Sequence, residues 1–112
     1  MRLPAILVVT LLLASFAFSK RDTGYVPKAG YVPDSKTAVS IAEAVLMPVY
    51  GAKQIESERP FTATLKNEVW TVEGTLRCSD GKGGVSTDCA GGVAAVRISE
   101  KDARILYMIH GK

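Results

Sequence analysis

The sequence predicts an α+β domain: one N-terminal helix packed on an antiparallel β-sheet of about four strands. Three observations carry that prediction. Apolar residues recur with helical spacing at Ala38, Ile41, Ala42, Val45, Leu46 and Val49. From Phe61 onward the period of the pattern changes to two. That alternation comes as two pairs of segments, separated by a loop that contains both cysteines of the chain.

The first nineteen residues read as a secretory signal peptide. Arg2 gives a positive start, Leu3 to Phe18 is apolar apart from Thr10 and Ser15, and small residues stand where a cut is expected, at Ala17 or Ser19. A single-pass anchor is the competing reading, because the run approaches the ~18 apolar residues that make a membrane helix plausible. Cleavage after Ser19 leaves 93 of the 112 residues, enough for one small domain. The expected location is then the periplasm, with no stable membrane insertion of the mature chain. Loss of Arg2 leaves 13 basic against 11 acidic residues, largely interleaved, which gives no reason to expect nucleic acid as a partner.

Residues 20–30 read as a flexible tether and 31–112 as the domain. The tetrapeptide Gly-Tyr-Val-Pro occurs twice, at 24–27 and 30–33. Only the second copy abuts a helix start. Asp34 is a good N-cap, since its carboxylate accepts orphan amide hydrogens and its charge suits the positive end of the helix. Pro33 fixes the entering chain, and Tyr31 or Val32 is placed to pack on the first turn. The first copy has no such job and reads as a duplication carried in the tether. Pro48 deprives Ala44 of its hydrogen-bond donor, so a kink or an early end is expected there, with Gly51 as the stop. Tyr50 is held at the helix end.

A short strand at 53–56 is a weak further expectation. Phe61, Ala63 and Leu65 alternate with Thr62, Thr64 and Lys66; after a turn at Asn67-Glu68, Trp70, Val72 and Leu76 alternate with Thr71, Glu73 and Thr75. This is a hairpin with one buried face, and Gly74 on that face marks a bulge or a close approach. Residues 92–99 and 104–110 form the second pair. The last strand is apolar on both faces, which suits a central or doubly covered position.

An exported chain meets an oxidising compartment, so Cys78 and Cys89 are expected to pair. Such a bridge stabilises a small domain by roughly 2–3 kcal/mol. Two cysteines and one distant histidine do not make a structural zinc set, so no metal or other cofactor is expected. The run Gly81-Lys82-Gly83-Gly84 lacks the helix start that a phosphate cradle requires. Catalytic residues are not apparent: Glu56 and Glu58 sit in a charged stretch that reads as solvated surface, and no nucleophile and base are paired by spacing. Trp70 reads as core rather than ligand platform. The cysteine loop has two readings, an idle stapled hairpin or a partner-binding projection through Ser79, Asp80, Lys82, Ser86, Thr87 and Asp88. His110 likewise is an ordinary strand-end residue or, with Gly111 and Lys112, part of a partner surface.

In order and spacing, Gly30-Tyr31-Val32-Pro33-Asp34, Ala42-Glu43-Ala44-Val45, Pro48-Val49-Tyr50-Gly51, Arg59-Pro60-Phe61, Val69-Trp70, Gly74-Thr75-Leu76, Gly91-Gly92-Val93-Ala94 and His110-Gly111-Lys112 resemble the bacterial NTF2-fold immunity proteins of polymorphic-toxin and contact-dependent competition systems. The resemblance spans residues 30–112 and aligns with the second Gly-Tyr-Val-Pro. It implies a compact NTF2-like, cystatin-like fold and a non-enzymatic inhibitor that binds a cognate toxin. For an envelope protein, that toxin is expected to act on the cell wall or the membrane. A small-ligand binder or enzyme using an NTF2-like cavity is the alternative; it requires a pocket near Tyr50, Trp70 or His110. Ala103 departs from the pattern, standing where a turn glycine is usual.

Overall fold

The computed structural model describes residues 23–79, 82–86 and 91–111. Helix α1 (Ser35–Tyr50) is followed by a short helix α2 (Ala52–Ser57). The strands are β1 (Thr62–Lys66), β2 (Val69–Glu73), β3 (Cys78–Ser79), β4 (Val85–Ser86), β5 (Ala94–Ser99) and β6 (Ile105–His110). Strands β1, β2, β5 and β6 form an antiparallel sheet in that order, while β3 and β4 make a separate two-stranded ribbon. One helix on a four-stranded antiparallel sheet is the fold class the two periodicities predict.

Helix α1 begins where its cap says it should: the Asp34 carboxylate accepts the Thr37 amide at 2.7 Å. Those hydrogen bonds from Thr37 hold the exposed Asp34 carboxyl below its ordinary pKa. Pro48 does not end the helix early. The helix continues to Tyr50, and the Gly51 amide closes its last turn on the Met47 carbonyl at 2.8 Å. Gly51 has φ +94°, a conformation that suits glycine. The chain then re-enters helix, so the strand expected at 53–56 is instead α2, whose inward residue is the fully buried Ile55. A four-residue charged stretch carries too little pattern to separate one helical turn from a strand.

The core lies between α1 and one face of the sheet: Ala38, Ala42 and Leu46 from α1, Ile55 from α2, Phe61 before β1, Trp70 and Val72 from β2, and Ala94, Val96 and Ile98 from β5. Val49, at the end of the predicted apolar stripe, is exposed, as is Leu65 on edge strand β1. Asn67 and Glu68 both have positive φ, at 51° and 63°, the geometry of a tight turn that matches strand twist. Ala103 takes φ +63°, so alanine here accepts the left-handed conformation that glycine would adopt more easily.

Two expectations about strands are corrected. Strand β2 ends at Glu73 rather than running to Leu76, because the Thr75 amide turns away to the Glu58 carbonyl at 2.7 Å. Strand β6 lies at the edge of the sheet, not at its centre, and Ile105, Leu106, Tyr107 and Ile109 are all at least a third exposed. Its apolar composition therefore reflects one half-covered face and one uncovered face, with a register shift opposite Arg97 and Ile98.

The two Gly-Tyr-Val-Pro copies have different fates. In the first, Tyr25 is 82% exposed and nothing approaches Gly24 within 4 Å of a hypothetical Cβ. In the second, Val32 is fully buried, its amide bonds the Glu100 carbonyl, and its own carbonyl accepts the Trp70 indole N–H at 2.8 Å. The Tyr31 amide pairs with the Lys101 carbonyl, so this copy is fastened to the β5–β6 turn.

Candidate functional site

Two regions carry polar chemistry. The first is an internal cluster around Glu58, the residue that follows α2. Its side chain is buried and every polar contact is made. Oε1 accepts the Ala94 amide at 2.6 Å, at the start of β5. Oε2 accepts Gln54 Nε2 at 3.0 Å from α2 and His110 Nε2 at 2.9 Å from the end of β6. One carboxylate thus ties together a helix, an inner strand and an edge strand.

Space for that carboxylate comes from Gly74. A Cβ there would lie 3.0 Å from both Cβ and Oε1 of Glu58 and 3.1 Å from the Phe61 ring. The close approach expected at Gly74 is therefore made by Glu58 and Phe61. His110 also places Nδ1 at 2.8 Å from the Gly111 carbonyl, and its ring tilts against Tyr50 with centroids 5.3 Å apart. Both ring nitrogens face acceptors, an arrangement only the doubly protonated imidazolium satisfies with two donors. The Gly111 carbonyl and then the Glu58 carboxylate accordingly raise the His110 pKa. Burial pushes the Glu58 carboxyl up, but the Ala94 amide, Gln54 and His110 outweigh it and hold it below its ordinary value.

Chemically this is a brace. The carboxylate accepts three donors, and both imidazole nitrogens face acceptors. Glu58 departs from the expectation that it shares a solvated surface with Glu56: Glu56 is exposed and Glu58 is buried. Gly74 was the one available signal, since a glycine on a buried strand face implies that something comes close.

The second region is the outer face of the sheet, which no described helix covers. Register places Thr64, Thr71, Arg97 and Tyr107 in one row across all four strands, with Lys66, Val69 and Ser99 in the next outward row. An open depression of about 500 Å³ lies here, lined by Lys66, Val69, Thr71, Arg97, Leu106 and Tyr107 among others. The Arg97 guanidinium sits 5.2 Å from the Tyr107 ring centroid.

Of the residues singled out in the cysteine loop, Asp80, Thr87, Asp88 and Cys89 lie outside the described residues, as does Lys112. Ser79 and Ser86 fall on the β3–β4 ribbon, where Cys78 stands opposite Ser86 and Ser79 opposite Val85. Lys82 is exposed near its tip, and the glycine run leads into a strand rather than a helix. His110 belongs to the Glu58 brace. Trp70 is core, with its indole N–H spent on Val32. Among the described residues, no group of three or more His, Cys, Asp and Glu is arranged to hold a metal ion, and no helix is long and apolar enough to cross a membrane.

Comparison with known proteins places this architecture. Residues 37–112 match the model of a family described as NTF2 fold immunity protein. The chain is similar to the uncharacterized protein YhhH of Escherichia coli strain K12, 35% identical over 81 residues that make up 72% of this chain and 58% of that protein. It is also similar to the uncharacterized protein YbbC of the same strain, 29% identical over 75 residues, 67% of this chain and 55% of that one. The chain thus spans a little over half the length of these relatives. No solved structure matches it significantly.

Proposed function

The chain belongs to the NTF2 fold immunity protein family, and from that premise we propose that it is exported to the periplasm and neutralises a cognate toxin there by binding it. The match over residues 37–112 carries this reading, since it takes in α1 from its third residue, α2 and every described strand. The family points to a non-enzymatic role, and in our reading the protein acts by occupying the toxin's surface. The internal brace is in keeping with this, because a binder gains affinity from rigidity that is already present before association.

Residues 1–19 are proposed to direct export and to be removed, and the oxidising compartment to join Cys78 to Cys89. A toxin met in the envelope is expected to attack the cell wall or the membrane. The test is co-expression of the full chain, with and without residues 1–19, beside the toxin encoded by the neighbouring gene. Rescue by the exported form alone supports the proposal; failure of the full chain to protect or bind overturns it. Cys78→Ser should lower stability by roughly 2–3 kcal/mol under oxidising conditions and leave the reduced protein unchanged. Equal melting of parent and variant without reductant would remove the bridge.

A further inference from the structure

The outer face of the sheet is left without a described structural partner, and it is neither uniformly polar nor uniformly apolar. Val69, Leu106 and Tyr107 give an apolar floor, and Thr64 and Thr71 offer hydroxyls. Two cations, Lys66 and Arg97, line the same depression. Among the described residues the ion pairs are Arg59 with Glu43 and His110 with Glu58, so neither Lys66 nor Arg97 is neutralised by one. Elsewhere the protein does pair a surface arginine: Arg59 is engaged by Glu43. The acid on this face, Glu73, stands one row from Arg97 and two from Lys66, in register with Thr62 and Ala95, and forms an ion pair with neither.

Resting on the immunity reading above, we propose that this face is the docking surface for the toxin, and that the patch it receives bears a carboxylate flanked by apolar side chains. An exposed arginine over an exposed tyrosine is the pairing of residue types enriched among binding anchors at protein interfaces. Arg97 lies over the Tyr107 ring, a contact that favours one orientation of its guanidinium before a partner arrives. Four paired strands beneath the depression fix the spacing of these groups in advance.

Other occupants fit less well. A second copy docked face to face would bring Arg97 and Lys66 into the basic field of its twin. The chain's own residues 20 and 21 are Lys and Arg, again of the wrong sign for this face. A carboxylate-bearing partner answers both cations at once.

The test uses the full chain and, as probe, the purified toxin encoded by the adjacent gene. Arg97→Glu should weaken binding about 100-fold or more, Lys66→Glu about tenfold, and Lys53→Glu on α2 by less than about twofold. Melting curves establish that each variant is folded. A second measurement needs no variant: carbodiimide coupling of the parent complex should join the Lys66 ammonium to an Asp or Glu of the toxin, located by mass spectrometry. If the parent binds while both reversals bind equally well, or coupling runs only through Lys82 or other lysines, this surface is wrong and the immunity reading stands. Coupling of Lys66 to an acid of a second copy, with the toxin bound elsewhere, overturns it in favour of self-association. A parent that neither binds nor protects removes both readings together.

Discussion

Gly24 and Gly30 begin identical tetrapeptides, yet only one of them is constrained. Gly30 has φ +85°, and a Cβ added there would come within 2.5 Å of the Glu100 carbonyl oxygen, a backbone atom that has no rotamer by which to yield. Gly30→Ala should therefore destabilise the domain by about 2 kcal/mol or more, combining left-handed strain with that collision. Gly24→Ala, with open space around it, should stay within about 0.5 kcal/mol. Chemical denaturation of the two variants beside the parent checks the pair; equal losses would mean that the first copy also has a structural role. The choice between the copies was legible in the sequence because Asp34 and the helical period follow only the second. Glu58 was not legible in the same way. Its role depends on Gln54, Ala94 and His110 converging on it, and the last two are 36 and 52 residues away. No local pattern distinguishes such a carboxylate from exposed Glu56.

Among the elements, α1 and the β1–β2 hairpin were readable because each shows its buried side through a period, 3.6 in one and two in the other. The period overstated the length of the buried stripe. Ala38, Ala42 and Leu46 are fully covered, but Val49, one turn after Leu46, is 59% exposed, since the covered stripe steps by four residues and continues at Tyr50, which packs on the core. Leu46→Ala should thus cost about 3 kcal/mol, as expected for a large core residue, while Val49→Ala stays within about 0.5 kcal/mol. Comparable losses at the two positions, measured by urea denaturation, would contradict this placement of the helix. Strand β6 is the opposite case. A strand apolar on both faces normally signals coverage on both, and here the signal misled, because Leu106, Tyr107 and Ile109 remain exposed on an edge. Their exposure is intelligible if the outer face is itself an interface, which links the misreading to the proposed docking surface.

For the molecule as a whole, the Glu58–His110 contact closes the structure, joining the segment after α2 to the last residue of β6, and its titration should appear in global stability. The sign differs for the two groups. Glu58 has a depressed pKa in the folded state, so its contribution is present above its ordinary value of 4.5 and is lost as pH falls through the lower folded value. His110 has a raised one, so its contribution is complete below its ordinary 6.5 and is lost as pH rises from there through the higher folded value. Both contributions coexist between those ordinary values, and melting temperature should be highest in that mildly acidic window, declining on either side. His110→Gln keeps a donor for Glu58 but cannot titrate; it should flatten the decline above pH 6.5 and leave the acid limb in place. Glu58→Gln should blunt the acid limb and return the His110 ring toward its ordinary titration, which NMR of that single imidazole reads directly. Parallel melting profiles for parent and His110→Gln between pH 6 and pH 8.5 would show that the alkaline limb arises elsewhere. A brace strongest in mild acid also bears on the docking proposal: binding of parent and His110→Gln compared at pH 6 and at pH 8 separates loss of the toxin contact from loosening of the sheet that presents it, because only the parent carries the titrating imidazole.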